Sequence, residues 1–390
     1  MPRNFDIIIV GGGLVGASLA LALRSADLSV AVVEPDPPIT PAAEGTRDNR
    51  VYAISPGSAD FLSACGIWQT LPQERLARVE AMQIYGDDDS SRLDFSAYDA
   101  GLRELAFIAG NSLLQQAAWQ RLRDSGHVQV FSPARCGAVR WNEDHAGLTL
   151  EDGTELTARL LVGADGAGSW LRTQAGIVAR PRDYGQLGVV ANFAAGRPHQ
   201  GIAYQWFRRD GVLALLPLAD NHVSMVWSTV EPRARELLAL TPRELADAVG
   251  LASCRTVGEL QPVTLPAAFP LRMQHVENIV KSRIALVGDA AHSVHPLAGQ
   301  GVNLGFRDAR ELARVLSGRG AQSDCGDYAL LRRYERARKE DILAMQLMTD
   351  TLQKLFNNDA VWLARARNMG LRLVNWQPQL KNLLVRQAVA

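Results

Sequence analysis

Three glycine-marked turns carry the residue types needed to hold a dinucleotide and a reactive ring attached to it: Gly11 to Gly16, Gly163 to Gly166 and Gly288 to Gly305. In the first, the apolar run Phe5 to Val10 predicts a buried parallel strand running into Gly11, Gly13 and Gly16, ahead of an Ala/Leu-rich helix that ends near Ser25. This is a GxGxxG spacing in strand–turn–helix context. Gly11 permits the tight turn, Gly13 keeps side-chain atoms away from a pyrophosphate, and Gly16 lets the helix close on the strand. Leu14 opens that helix, whose free N–H groups would face the phosphates. A second apolar strand, Leu28 to Val33, ends in Glu34, about 20 residues beyond the first glycines, where a carboxylate accepts hydrogen bonds from an adenosine ribose. Glu34 also disfavours a ribose 2′-phosphate. This turn by itself does not distinguish NAD from FAD.

The later turns make that distinction. Arg283 to Val287 reads as a short strand leading to Gly288-Asp289-Ala290-Ala291-His292. The chain then passes Pro296 to Gly299-Gln300-Gly301-Val302-Asn303, which opens a helix. Ala309, Leu312, Ala313 and Leu316 repeat at helical spacing, while Arg307, Asp308, Arg310, Glu311 and Arg314 take the other positions. The glycine-rich N-terminus of this helix would stabilise negative charge on the pyrimidine side of a reduced flavin. Asp289 would accept hydrogen bonds from a ribityl chain.

At these residues the chain resembles the group A flavin-dependent aromatic hydroxylases, the family of para-hydroxybenzoate hydroxylase, and within it the ubiquinone-biosynthesis hydroxylases. The resemblance rests on Gly288 to Asp308, on Gly163-Ala164-Asp165-Gly166 through Arg172, and on Asp48 to Ser58. Asp183-Tyr184-Gly185-Gln186, Gly211 to Leu218 and Val226-Trp227-Ser228 add to it. It implies FAD as cofactor, with Gly11, Gly13, Gly16 and Glu34 at the ADP half and Arg50 and Asn111 near the pyrophosphate or flavin. Gly288 and Asp289 would serve the ribitol, and Pro296 with Gly299 to Asn303 would line the flavin edge. Asp165 would stand where the FAD and nicotinamide paths meet; its plainer alternative is a turn-capping carboxylate.

The implied reaction is hydroxylation of the ring of a polyprenylated phenol in ubiquinone assembly. NAD(P)H or another donor reduces FAD, and an oxygen of O2 passes to the ring; the cofactor supplies the hard chemistry. A soluble phenol hydroxylase and a prenyl-chain reductase are the enzymatic alternatives, and a prenyl-binding escort protein is one of a different class. His292, His295, Tyr184 or Tyr204 could assist a phenol proton, but no catalytic residue is assigned.

The fold expected is α/β: a Rossmann-like FAD lobe from residues 1–75, 105–180 and 270–340, interleaved with an antiparallel-sheet substrate lobe from 76–104 and 181–269, and a helical tail over 341–390. Leu187 to Phe193, Ile202 to Phe207, Val212 to Leu216 and His222 to Ser228 read as strands of the substrate sheet, with Trp206, Leu215 and Pro217 on its inner face. The 390 residues carry equal numbers of acidic and basic side chains, so bulk charge offers nothing to nucleic acid. Cys65, Cys136, Cys254 and Cys325 lie far apart, which predicts reduced thiols and no metal site. No apolar segment reaches transmembrane length, and none resembles a signal peptide. A cytosolic protein is expected, its tail read first as a helix packed on the FAD lobe with its arginines in water, and as the alternative a peripheral contact with the inner face of a membrane or with a ubiquinone-biosynthesis complex. In the tail Trp362, Trp376, Arg365, Arg367 and Arg372 accompany apolar residues, and no acid follows Asp359.

Overall fold

The protein is described from a computed structural model, in which residues 3–38, 47–86, 92–208, 210–293, 301–320 and 323–356 are described. Pro296, Gly299, Gln300, His295 and the tail beyond Phe356 therefore lie outside the described residues.

The run of β-branched residues after Arg3 forms strand β1 (Arg3–Val10), in which Ile7, Ile8 and Ile9 are fully buried, as expected of a parallel strand covered on both faces. It is flanked in parallel by β2 (Val30–Val33) and β11 (Glu155–Gly163); β8 (Val128–Phe131) and β19 (Ile284–Leu286) extend the parallel set outward. Antiparallel β9 (Cys136–Trp141), β10 (Ala146–Leu150) and β18 (Val280–Lys281) complete an eight-stranded sheet. Helices α1 (Leu14–Ala22), α3 (Asn111–Asp124), α7 (Gly301–Ser317) and α8 (Tyr328–Phe356) contribute buried residues to the core around this sheet. Because β19, β11 and β1 are neighbours running the same way, the three glycine turns leave the same edge of one sheet. That is where ligands bind in open α/β sheets.

A second eight-stranded sheet follows the order β16 (Leu260–Pro262), β12 (Ala179–Ala195), β15 (His222–Val230), β14 (Gly211–Leu218), β13 (Ile202–Arg208), β5 (Ala81–Tyr85), β6 (Arg92–Ser96), with β17 (Ala267–Val276) also paired to β12. The four expected strand segments all fall within it. It is antiparallel except where β13 meets β5 in parallel. A small sheet of β3 (Val51–Ile54), β7 (Ala106–Gly110) and β4 (Ala77–Val79), not anticipated from the sequence, lies between the two. Helix α2 (Pro56–Ala64) follows β3, and α4 (Trp170–Gln174) follows β11.

The face of the second sheet that carries Trp206 is set by packing. Tyr204, Trp206, Leu213, Leu215, Met225 and Trp227 form one buried cluster with Ala234 and Leu237 of α5 (Glu231–Ala239) and with Leu245 and Val249 of α6 (Pro242–Ala252). Strand alternation puts Pro217 on that face too. These residues therefore face two covering helices, and the expectation that Trp206, Leu215 and Pro217 point inward is corrected. The opposite face carries Val190, Asn192, Ala203, Ala214, Leu216, Ser224 and Val226. Its Ala203 and Leu218 pack on Ala77, Val79 and Ile108 of the small sheet. Helix α8 runs unbroken through residue 341, so the tail begins as its continuation.

Candidate functional site

At the first turn, Gly11 has φ of +103°, and a Cβ there would lie 2.4 Å from Ala164 O, so a side chain would push apart two neighbouring strand ends. A Cβ on Gly16 would lie 2.0 Å from Gly11 O, so the helix could not close on the turn. Gly13 differs: a Cβ there meets nothing within 4 Å. Its lack of a side chain serves no packing need and keeps clear the space in front of α1. That helix has no side-chain cap and no acidic residue in its first turn, so the N–H groups from Leu14 onward are available to an anion.

Glu34, at the end of β2, turns back to this loop. Its Oε2 accepts from Gly12 N at 2.5 Å and its Oε1 from Asp36 N at 2.9 Å, while Trp119 Nε1 donates to Gly12 O at 2.7 Å. Glu34 thus braces the turn as well as standing where a ribose acceptor is expected. Trp119 carried no sequence signal beyond its place on a helix.

The segment Asp48 to Arg50 joins the two large sheets. Asp48 accepts from Ser112 N (2.8 Å) and Ser112 Oγ (2.6 Å), capping the start of α3, and its carbonyl accepts from Asn192 Nδ2 at 2.8 Å. Asn49 donates to Leu265 O. Arg50 is exposed and lies over the Tyr52 ring at 5.2 Å. Asn111 donates its backbone N–H to Arg50 O, and its Oδ1 is buried with no hydrogen-bond partner.

Asp289 follows the tight turn at Gly288. The protein around it displaces water and pushes its carboxyl above the ordinary 3.8, while His292 and Arg50 pull the other way. The residue nevertheless keeps exposed surface, so the carboxylate is both crowded by protein and reachable by a ligand. Behind it, Asp308 is fully buried and accepts from Gly288 N (2.9 Å), His292 Nε2 (2.6 Å) and Arg338 Nε (2.7 Å). The sequence reading placed Asp308 with the outward polar residues of α7. Its spacing of four from both Leu304 and Leu312 is the signal that it belongs to the buried stripe. Burial pushes its carboxyl up, but His292 and Arg338 outweigh it and hold the carboxyl below the ordinary range. A separate cavity of about 250 Å³ lies between β17 and α8 and meets this turn through Ala291 and His292.

The model describing an FAD-binding domain matches residues 4–349, most of the chain. The chain belongs to this FAD-binding family. The flavoprotein is 36% identical over 385 residues to ubiquinone hydroxylase UbiL of Rhodospirillum rubrum, covering 98% of this chain and 89% of that one. It is 34% identical to the 3-demethoxyubiquinol 3-hydroxylase of Escherichia coli, covering 98% of each. The solved p-nitrophenol 4-monooxygenase PnpA of Pseudomonas putida shares its fold at a TM-score of 0.80 and 17% identity, over 100% of this chain and 99% of that one. The protein is an FAD-dependent monooxygenase.

The flavoprotein's described residues fit its cofactor: an uncapped helix N-terminus behind a clear space at Gly13, an Asn111 Oδ1 with no donor, an exposed Arg50, and an exposed Asp289. Three sequence candidates are committed elsewhere. Asp165 accepts from Ser169 Oγ (2.5 Å) and Leu171 N (3.0 Å), so the turn-capping alternative describes its carboxylate. Asn303 spends its amide on Ala53 O (2.8 Å) and Ser55 N (3.0 Å), tying α7 to β3. Gly288 gives its N–H to Asp308. Gly301 and Val302 form the first turn of α7, both partly exposed. Arg172, flagged within the GADG motif, donates to Ala290 O and Ala167 O, linking two of the turns.

Of the flavoprotein's side chains named for proton help, Tyr204, Tyr184 and His292 lie among the described residues. Tyr204 is buried on the helix-covered face against Trp206, and burial raises its phenol. The Tyr184 hydroxyl contacts Met273 Sδ at 3.4 Å. His292 is held by Asp308. All four cysteines are free, and burial pushes Cys65, Cys136 and Cys325 up to about 12, which makes those thiols unreactive. No helix among the described residues is long and apolar enough to cross a membrane.

Proposed function

We propose that this monooxygenase hydroxylates a ring carbon of a polyprenylated phenol in ubiquinone biosynthesis. The observation that carries the reading is the 34–36% identity, over 98% of the chain, to two enzymes named for hydroxylation in that pathway. The half-open apolar inner face of the second sheet agrees with it: Ala214 and Val226 are paired across β14 and β15, yet both are partly exposed in the middle of the sheet, where a face is ordinarily covered. An apolar groove beneath a sheet suits a ring carrying a hydrocarbon chain.

In this reading Gly11, Gly13, Leu14, Gly16 and Glu34 hold the ADP half of FAD, Arg50 and Asn111 neutralise and bind near the pyrophosphate, and Gly288 and Asp289 hold the ribitol. Pro296, Gly299, Gln300, Gly301, Val302 and Asn303 would border the ring, Asn303 through its backbone; Asp165 would act through the turn it caps. Reduced FAD supplies the activation of O2. The protein orients the phenol, and the second sheet excludes water from above it. NAD(P)H serves as electron donor, and the tail after Asp359 docks on an anionic membrane surface or a biosynthetic complex. The lobes would divide at 1–75, 105–180 and 270–340 for FAD, 76–104 and 181–269 for substrate, and 341–390 for the tail.

The test is the quinone profile of a host lacking this gene, with the visible spectrum of the purified protein. A yellow protein and an accumulated prenylated intermediate one oxygen short are expected. Normal ubiquinone with a yellow protein overturns the substrate class in favour of a soluble phenol hydroxylase, and a colourless protein points to the escort alternative.

A further inference from the structure

On the inner face of the second sheet, Asn192 and Ser224 stand directly opposite each other on β12 and β15, and both are fully buried. Asn192 Oδ1 and Ser224 Oγ are each without a hydrogen-bond partner. The Asn192 amide is oriented by its other end: Nδ2 donates to Asp48 O at 2.8 Å, which leaves the oxygen as the free atom. A buried acceptor and a buried hydroxyl left unmade side by side cost more than either would when paired, so such groups call for a partner. Most of their neighbours on the same face are apolar, though His222, two residues before Ser224, and Gln205, opposite Ala214, also lie on it. Ala214 and Leu216 on β14 and Val226 on β15 are all partly exposed, so the open space begins one residue pair away. The face is thus apolar at Ala214, Leu216 and Val226 beside a buried polar pair, and that pair is tied through Asp48 to Arg50.

We propose that Asn192 and Ser224 form the polar end of the substrate groove and hold an oxygen substituent of the substrate ring, Asn192 as acceptor and Ser224 as donor. This rests on the reading of the protein as a phenol hydroxylase and names the residues that position the ring. A phenolic hydroxyl gives its proton to Asn192 Oδ1 and accepts from the Ser224 hydroxyl, satisfying both orphans at once. The hydrocarbon chain then lies along Leu216, Ala214 and Val226. Fixing the oxygen fixes which ring carbon faces the cofactor, so the pair acts by positioning.

The test uses FAD-loaded protein and two probes, a short-chain prenylated phenol and the same prenylated benzene without its hydroxyl, with binding read from the flavin's visible spectrum. Wild type is expected to favour the phenol by about tenfold, the worth of one or two buried hydrogen bonds. Ser224→Ala, which removes a single oxygen atom, should bring the two affinities together while FAD content and melting temperature hold, and Ser224→Thr should restore the preference. Asn192→Ala should act in the same direction, with some loss of stability through Asp48. An unchanged preference in both alanine variants overturns the proposal, as does an equal loss of affinity for both probes, which marks a packing role. Should wild type bind neither prenylated probe but favour phenol over benzene, the prenylated-substrate reading fails. The preference measured with that simpler pair then decides the proposal in the same way.

Discussion

His292 donates from Nε2 to Asp308 Oδ2 at 2.6 Å, with the two side chains 2% and 0% exposed. The Asp308 carboxylate is held in its charged form by three donors, so it can only accept, and Nε2 is the protonated nitrogen of His292. Through Gly288 N it fixes the turn that presents Asp289, and through Arg338 it fastens that turn to α8. Arg338 in turn reaches Asp341 at 2.6 Å.

Removing one partner of this buried set leaves the others unpaired. Asp308→Asn is expected to cost about 3–5 kcal/mol of stability, measured by denaturant unfolding of the apo protein. Because the folded carboxyl lies below its ordinary 3.8, its contribution is present above that value and disappears as pH falls through the lower folded value. The stability difference between wild type and variant should therefore narrow in strong acid. A difference under about 1 kcal/mol at neutral pH would mean that the three contacts are not formed together.

Asp289 has the opposite sign. Its folded carboxyl is raised by lost solvation, so in the apo protein its contribution favours folding below 3.8 and fades as pH rises through the folded value. Donors from a bound ribityl chain favour the charged form, and FAD affinity should rise with pH across the same window. Asp289→Asn should bind FAD at least about tenfold more weakly at neutral pH and lose that part of the pH dependence. Titration of apo protein with FAD across pH 4 to 8, followed by flavin fluorescence, checks this; parallel wild-type and variant profiles would count against the ribityl contact.

Two glycines only two residues apart should fail differently. Gly11→Ala forces a Cβ at positive φ into Ala164 O and is expected to prevent or severely impair folding. Gly13→Val places its side chain in open space, so the apo protein should stay folded with a loss of about 1 kcal/mol at the helix start, while FAD retention drops sharply. Circular dichroism melts paired with flavin absorbance separate the two; a yellow Gly13→Val protein would place the pyrophosphate elsewhere.

The two faces of the second sheet predict opposite phenotypes. Trp206→Ala opens a hole against Tyr85 and the helix-covered cluster and should cost about 3–5 kcal/mol. Ala214→Leu on the inner face should leave stability within about 1 kcal/mol and weaken substrate binding. Thermal melts together with spectral titration by a prenylated phenol test this, and a selective loss of substrate binding in Trp206→Ala would reverse the assignment of faces.

The strand–turn–helix at Gly11, the acid after β2, the GADG turn and the GDAAH turn were all legible in the sequence, because each is a local requirement written in consecutive residues: a missing side chain, a period, an apolar run. The four strands of the second sheet were legible for the same reason. Their facing was not. Apart from Gln205, the interior of β13 and β14 is apolar on both sides, and only α5 and α6, folding over one face, decide which face Trp206 takes. Asp165, read with a cap as its alternative, caps α4 because Ser169 and Leu171 curl back to it. The charge of Asp308 says outward by residue type, and only Arg338, 30 residues further on, with His292, makes its burial tolerable. What the sequence determined by itself was the local geometry of the glycine turns, since glycine positions encode backbone geometry directly. What only the tertiary structure decided was which polar side chains lie buried and which face of the sheet the helices cover, because burial depends on what distant parts of the chain bring to the same place.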